Sequence, residues 1–245
     1  MDQAIDLAQF RQWILAYADL IQEQEAYLTE LDAAIGDADH GANMRRGLDR
    51  VRERLSDPSL AMEDVGALLR MVAMTLISTV GGAAGPLYGA FFLRAAQAVD
   101  TDRPIDTHQL AAMFRSGLAG VQQRGKAQLN DKTMVDAMQP AVEALEAAAE
   151  AGATVEVALD AAAHAAKKGM EHTIGLQAHR GRASYLGPRS VDHQDPGATS
   201  VYLLFQAAAS LGDPLSEQDA DSDQPPAHDD AVIVHGPNRR EHPGR

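Results

Sequence analysis

The sequence predicts an all-α protein, a bundle of about eight helices. Three observations carry that expectation. Apolar residues recur at steps of three and four along nearly the whole chain. Alanine, the best helix former, is abundant. Alternating β-branched runs are missing apart from a short "AVIV" at 231–234.

The elements follow in order. Leu7, Phe10, Ile14, Tyr17, Ile21 and Leu28 form one stripe, with Gln24 in its one polar slot, which predicts a single long first helix. Further helical stretches are expected at 42–56, 63–80, 87–99, 106–124, 133–151, 154–176 and 196–211. The helical domain should occupy residues 1–212. From Asp213 to Arg245 the chain turns polar and proline-bearing with no sustained apolar face, the composition of a disordered tail. Its three histidines, His228, His235 and His242, read as solvated residues.

Charge and composition narrow the function. A net charge of −14 argues against nucleic acid and anionic membranes as partners. An anionic ligand would need a metal or an arginine cluster to overcome that field. The absence of cysteine excludes disulfides and thiol chemistry and fits a reducing cytosol. The N-terminus "MDQAIDLAQFRQW" lacks a basic-then-apolar signal pattern, and no apolar run approaches the ~20 residues of a membrane helix. The expected location is the cytoplasm.

The loops carry the chemistry. "LDAAIGDADHGAN" places Asp32, Asp37 and Asp39 within eight residues, with Gly36 and Gly41 framing the last two. A hard, oxygen-liking cation such as Mg²⁺ would reconcile three such carboxylates. An EF-hand does not fit, because position six counted from Asp37 is Ala42 and position twelve is Leu48. The competing reading is that Asp37 or Asp39 caps the helix beginning near Gly41. "TVGGAAGPLYG" crowds three glycines before Pro86, which is read as N1 of the next helix. Its backbone N–H groups suit phosphate, although close packing or a plain break would use the same residues.

"GVQQRGKA" has Walker A spacing, but Ala127 replaces the hydroxyl residue and a helical pattern precedes it, so a P-loop is rejected. Lys126, Lys132 and Thr133 remain available to an anion, or the lysines are ordinary surface residues. In "HRGRASYLGPRSVDHQDPGATS", Arg180, Arg182 and Arg189 supply forked cations for phosphate. Asp195 and Pro196 read as N-cap and N1 of the last helix, and His193 as an ordinary hydrogen-bonded residue. Pooled, these loops describe a metal–nucleotide site on a helical scaffold.

The motifs "GDADHG", "GGAAGPLYG", "GKAQLNDKTM" and "GRASYLGPRS…HQDPGATS" resemble, in order, those of the nucleotide-binding L subunit of dihydroxyacetone kinases. The resemblance runs from about residue 5 to 212. It implies a closed barrel of eight antiparallel helices with ADP or ATP at one end. Two Mg²⁺ would be held by Asp32, Asp37 and Asp39. His40, Gly41, Ala42, Asn43, Gly81, Gly82, Gly125, Thr133, Met134, Arg182, Asp195, Pro196 and Gly197 match nucleotide-contact positions. The family retains ADP as a cofactor, which an M-type phosphohistidine protein of the phosphotransferase system rephosphorylates. The phosphoryl group then passes to dihydroxyacetone on a separate K subunit, so no catalytic residue is assigned to this chain. Alternatives are a kinase subunit for another triose or tetrose, and an ADP-state-dependent protein that binds a transcription regulator. Ala84 stands where many members have Ser, and Pro188 and Asp192 stand where Glu and Gly are expected.

Overall fold

The computed structural model describes residues 4–60, 62–100, 104–209 and 211. The expected tail at 213–245, with its "AVIV" run and three histidines, lies outside the described residues, as does the boundary at Gly212.

Among the described residues the chain is all-α. Its helices are α1 (Leu7–Glu23), α2 (Glu25–Ile35), α3 (His40–Leu55), α4 (Val65–Thr79), α5 (Ala84–Gln97), α6 (Thr107–Gly125), α7 (Met134–Glu150), α8 (Val155–His172) and α9 (Pro196–Ala209). Two 3₁₀ segments, Thr173–Gly175 and Arg182–Ser190, lie between α8 and α9. None of these helices is long and apolar enough to cross a membrane.

The expected single first helix is divided at Gln24 (φ −98°, ψ 8°). The apolar stripe continues through the break, since Ile21 and Leu28 are both fully buried. Periodicity alone therefore gave no sign of the division. The break lets α2 pack on α3, α9 and the 182–190 segment while α1 stays on α3 and α9. Two further differences concern helix ends. Helix α5 begins at Ala84, so Pro86 is its third residue rather than its first. That position tolerates proline because the first-turn N–H groups have no helical acceptor. Helix α8 ends at His172, and its expected last turn is the 3₁₀ segment.

Side-chain caps set most helix starts. Asp6, Asp64, Asp106, Thr133 and Thr154 each accept a backbone N–H of the first turn. Replacing such a cap by Ala costs ~1 kcal/mol. From α3 to α9 each helix packs on the next, and α1 lies against both α3 and α9. The core between them holds Trp13, Phe91, Phe92, Phe114 and Phe205 in edge and tilted contacts 5.1–5.9 Å apart. Burying each ring contributes up to ~3 kcal/mol, and the Trp13 indole N–H donates to the Leu204 carbonyl at 3.1 Å. Pro140 inside α7 leaves the Asp136 carbonyl without its helical N–H. Gly169 of α8 sits against that carbonyl, where a Cβ would come within 2.1 Å. A glycine there is what allows α7 and α8 to close together.

Candidate functional site

Four inter-helix segments meet around one cavity of about 500 Å³. They are the α2–α3 turn, the α4–α5 turn, the α6–α7 loop and the long connection from α8 to α9. These are the four stretches whose chemistry stands out in the sequence.

The acidic turn shows how its carboxylates are arranged. Asp32, in the last turn of α2, is buried, and its Oδ2 accepts the N–H groups of Asp39 (2.9 Å) and His40 (3.1 Å). Asp32 thus satisfies the start of α3. Asp39 occupies the N-cap position but makes no side-chain cap bond. The capping role expected of Asp37 or Asp39 falls to Asp32 instead, and the other two carboxylates are not spent on it. Two backbone features make the turn possible. A Cβ at Gly36 would lie 2.0 Å from Asp32 Oδ1. Ala38 has φ +62°, a left-handed conformation costing ~1 kcal/mol or more outside glycine.

Ligand oxygens of Asp32, Asp37 and Asp39 lie within 4.8 Å of one another. The cationic partner of this group is Arg182, whose Nη2 is 3.0 Å from Asp37 Oδ2. Three close carboxylates against one exposed guanidinium and two peptide N–H groups leave an excess of negative charge. An all-oxygen donor set with that excess fits a hard divalent cation such as Mg²⁺.

Next to the acids stands His40, the first residue of α3. Its Nε2 is 2.9 Å from Ser200 Oγ of α9, and Tyr88 of α5 donates its hydroxyl to the same Oγ at 2.8 Å. Burial lowers the His40 pKa against the pull of Asp32 and Asp39, favouring a neutral ring. Asn43, one turn on, is buried, and a Cβ at Gly81 would meet its Oδ1 at 2.9 Å. Gly82 has φ +64°. The two glycines therefore serve different needs, room for Asn43 and a left-handed turn.

The rest of the lining is more apolar, with Leu87, Val121, Ala127, Met134 and Val135 beside Gly125, Arg124 and Thr133. Thr133 caps α7 in a reciprocal box with Asp136, which is 1% exposed. Lys132 is not a surface residue. It is 1% exposed, and its ammonium donates to the carbonyls of Thr173 (2.6 Å), Leu176 (3.0 Å) and His193. It pins the start of the α8–α9 connection to the α6–α7 loop, and burial lowers its pKa. Asp195 caps α9 by accepting the Ala198 N–H at 2.7 Å, with Pro196 at N1 as the sequence implies. Burial pushes the Asp195 carboxyl up to about 7.

Of the site residues named from the sequence, Asp32, Asp37, Asp39, His40, Asn43, Gly81, Gly82, Gly125, Thr133, Met134, Arg182, Asp195, Pro196 and Gly197 line the cavity. Gly41 and Ala42 do not. Helix periodicity turns them away from the face shared by His40 and Asn43. Gly41 packs on α2, where a Cβ would lie 2.1 Å from the Glu25 carbonyl. Ala42 is exposed and borders a shallow groove with Arg45 and Arg46. Arg180 lines the cavity while Arg189, Lys126 and His193 do not. The His193 side chain is left as an ordinary residue, its carbonyl bound by Lys132.

Sequence reasoning passed over Tyr88, Arg124 and Ser200. Tyr88 and Ser200 sit inside helices, where nothing distinguishes them from core residues. The departures also find places. Ala84 lines the cavity, whereas Pro188 and Asp192 do not. Asp192 has φ +68°, the left-handed conformation for which a glycine would be natural.

Fold and site together define a helical domain whose connecting loops pool acids, arginines and glycines about a single cavity. Residues 34–210 match the DAK2 domain, and the chain belongs to that family. It is 48% identical over 206 residues to the ADP-binding subunit of the PEP-dependent dihydroxyacetone kinase of Escherichia coli K12, covering 84% of this chain and 97% of that one. It is 40% identical over 195 residues to the ADP-binding subunit of the PTS-dependent enzyme of Lactococcus lactis, covering 80% of this chain and 92% of that one. Among solved structures it is similar to the dihydroxyacetone kinase of C. freundii in complex with AMP-PNP and Mg²⁺, with a TM-score of 0.65 and 26% identity. That match covers 85% of this chain and 35% of the other, so the chain spans about a third of that longer kinase.

Proposed function

We propose that this chain is the ADP-binding subunit of a multi-subunit, PEP-dependent dihydroxyacetone kinase. The observation that carries the reading is the convergence of the carboxylate triad, the glycine turn and the arginine loop on one cavity of nucleotide size. The likeness to subunits with that role, over nearly their full length, supports it.

Asp32, Asp37 and Asp39 would hold two Mg²⁺, which when bound would neutralise the phosphates of ADP or ATP. His40, Asn43 and the backbone of Gly81 and Gly82 would contact the phosphates, and Gly41 and Ala42 would contribute to this helix start only through their backbone. Gly125, Thr133, Met134, Asp195, Pro196 and Gly197, which line the same cavity, would hold the rest of the nucleotide. Arg182, paired with Asp37, would offer its fork to phosphate oxygens. Phosphoryl transfer demands alignment and charge compensation more than a nucleophile from this chain. The packing of α1 on α3, of each helix on the next to α9, and of α9 on α1 supports a closed barrel of antiparallel helices.

The partners in this reading are a K subunit carrying dihydroxyacetone and an M-type phosphohistidine protein of the phosphotransferase system. They dock on the cavity mouth, over segments 84–89 and 180–193. Tyr185, 87% exposed on the second 3₁₀ segment, is placed to be covered there. The domain is residues 1–212, and the location is the cytoplasm. The test is reconstitution. The chain with K subunit, phosphohistidine protein, ADP and Mg²⁺ should make dihydroxyacetone phosphate, and the chain alone with ATP and Mg²⁺ should make none. Turnover by the chain alone would overturn the division of labour. ADP binding without turnover in the complete mixture would favour a role confined to contacting a regulator of transcription.

A further inference from the structure

We infer that Arg46, which stands outside the cavity, is a positioning residue that fixes the Asn43 carboxamide with its Nδ2 hydrogens toward the nucleotide. The inference rests on the functional reading above in taking Asn43 to face phosphate. The contact between the two side chains stands apart from that reading.

Helix α3 places three arginines, Arg45, Arg46 and Arg50, along one shallow outer groove. Two of them pair with acids, Arg45 with Glu25 and Asp49, and Arg50 with Glu53. Arg46 forms no ion pair among the described residues. Its guanidinium donates instead to two neutral oxygens, Asn43 Oδ1 through Nη2 and the Thr79 carbonyl through Nε at 3.1 Å. In a chain of net charge −14, an arginine held in this way serves direction rather than charge pairing.

The two ends of a carboxamide are nearly alike in shape, so packing alone does not decide which end faces the cavity. A guanidinium decides it. It has donors and no acceptor, so the carbonyl oxygen must turn to it and the NH₂ must turn away. Asn43 lines the cavity and takes no part in the outer groove. Its Nδ2 makes no hydrogen bond among the described residues, yet it is not one of the side-chain atoms sealed from solvent without a partner. Its hydrogens therefore open to the cavity. Two N–H donors there suit phosphate oxygens, whereas the reversed amide would set lone pairs against them. The same guanidinium also holds what lies against the amide. Thr79 ends α4 two residues before Gly81, and a Cβ at Gly81 would come within 2.9 Å of Asn43 Oδ1 and 3.1 Å of Nδ2. One arginine on the outer face thus ties α3, the glycine turn and a cavity donor together.

The test is a double-mutant cycle on the full chain. Calorimetry measures binding of ADP with Mg²⁺ to the wild type, Arg46→Met, Asn43→Ala and the double variant. Arg46 is exposed, so its replacement should leave the fold intact. Arg46→Met keeps the aliphatic stem and should weaken binding about ten-fold. In the Asn43→Ala background the same change should weaken it by less than about two-fold, since the amide that Arg46 orients is gone. Arg46→Lys, also a donor without an acceptor, should keep most of the affinity. A purely structural or long-range charge effect would persist in Asn43→Ala. Equal losses in both backgrounds overturn the inference, and so does unchanged binding in Arg46→Met. The same four proteins are unfolded in urea without metal or nucleotide, where the pair should couple by about ten-fold in the unfolding constant. Additive stabilities there overturn the inference too, whether or not Asn43→Ala binds tightly enough to titrate. If the wild type binds no ADP, the functional reading fails, while the unfolding cycle still decides whether Arg46 holds Asn43.

Discussion

Changing Asp37 to Asn tests whether the acidic turn is built for a cation. The substitution keeps the shape and removes one charge. Its ligand oxygen lies within 4.8 Å of those of Asp32 and Asp39. At that separation each like-charge pair costs ~1 kcal/mol in water and ~3 kcal/mol at a surface-like effective dielectric. Asp37 also has Arg182 at 3.0 Å, with side chains 33% and 66% exposed, a pair worth at most ~1 kcal/mol. Without metal the repulsion outweighs the pair, so Asp37→Asn should be as stable as the wild type or more stable by ~1 kcal/mol. With Mg²⁺ the order reverses. A cation at 100 times its dissociation constant stabilises the wild type by ~2.7 kcal/mol. For a domain of this size that is roughly 5–10 °C in Tm. The variant should show little of this gain and should lose tight ADP binding. The assay is thermal unfolding in chelator and in excess Mg²⁺, paired with calorimetric ADP titration in both. Equal Tm gains in wild type and variant, or ADP affinity indifferent to chelator, would refute the argument that these carboxylates require a cation.

Lys132→Met should lower stability by ~3 kcal/mol or more in urea unfolding, because it strands three carbonyls around a buried site. An exposed-lysine effect would be close to zero. Asp195 should give a signature in pH. Its folded pKa of about 7 exceeds the unfolded value of ~3.9, so the folded state binds the extra proton between those limits. Its contribution to stability is complete below that window and is lost as pH rises through about 7. Metal-free wild type should therefore lose up to ~1.4 kcal/mol per pH unit between pH 5 and 7 relative to Asp195→Asn, whose amide oxygen still caps Ala198. Parallel stability curves for the two proteins would contradict this. A chain ending at Gly212 should bind ADP with Mg²⁺ as the full chain does, measured by calorimetry, and a ten-fold loss would assign the last 33 residues to the site.

Much of this protein was legible in the sequence because its signals are local. Helix periodicity depends on neighbours three and four residues away, so the stretches from 42 to 211 and most of their boundaries were visible in one dimension. Glycines, prolines and clustered charges announced the four loops for the same reason. They carry backbone and electrostatic demands that few other residues meet. What the tertiary structure decided were matters of which atoms face each other across the chain. Asp32 rather than Asp37 or Asp39 satisfies the start of α3, since the turn through Ala38 folds both N–H groups back onto it. Lys132 is buried because three carbonyls from segments 41 to 61 residues away converge on it, and a charge can be buried once its hydrogen bonds are met. Gly41 serves packing with α2 while Gly81 makes room for Asn43, although in sequence the two look alike. Ser200 and Tyr88, 112 residues apart, meet behind His40. No pattern within a helix marks such a pair, because its meaning lies in contacts that only the packing of α3, α5 and α9 creates.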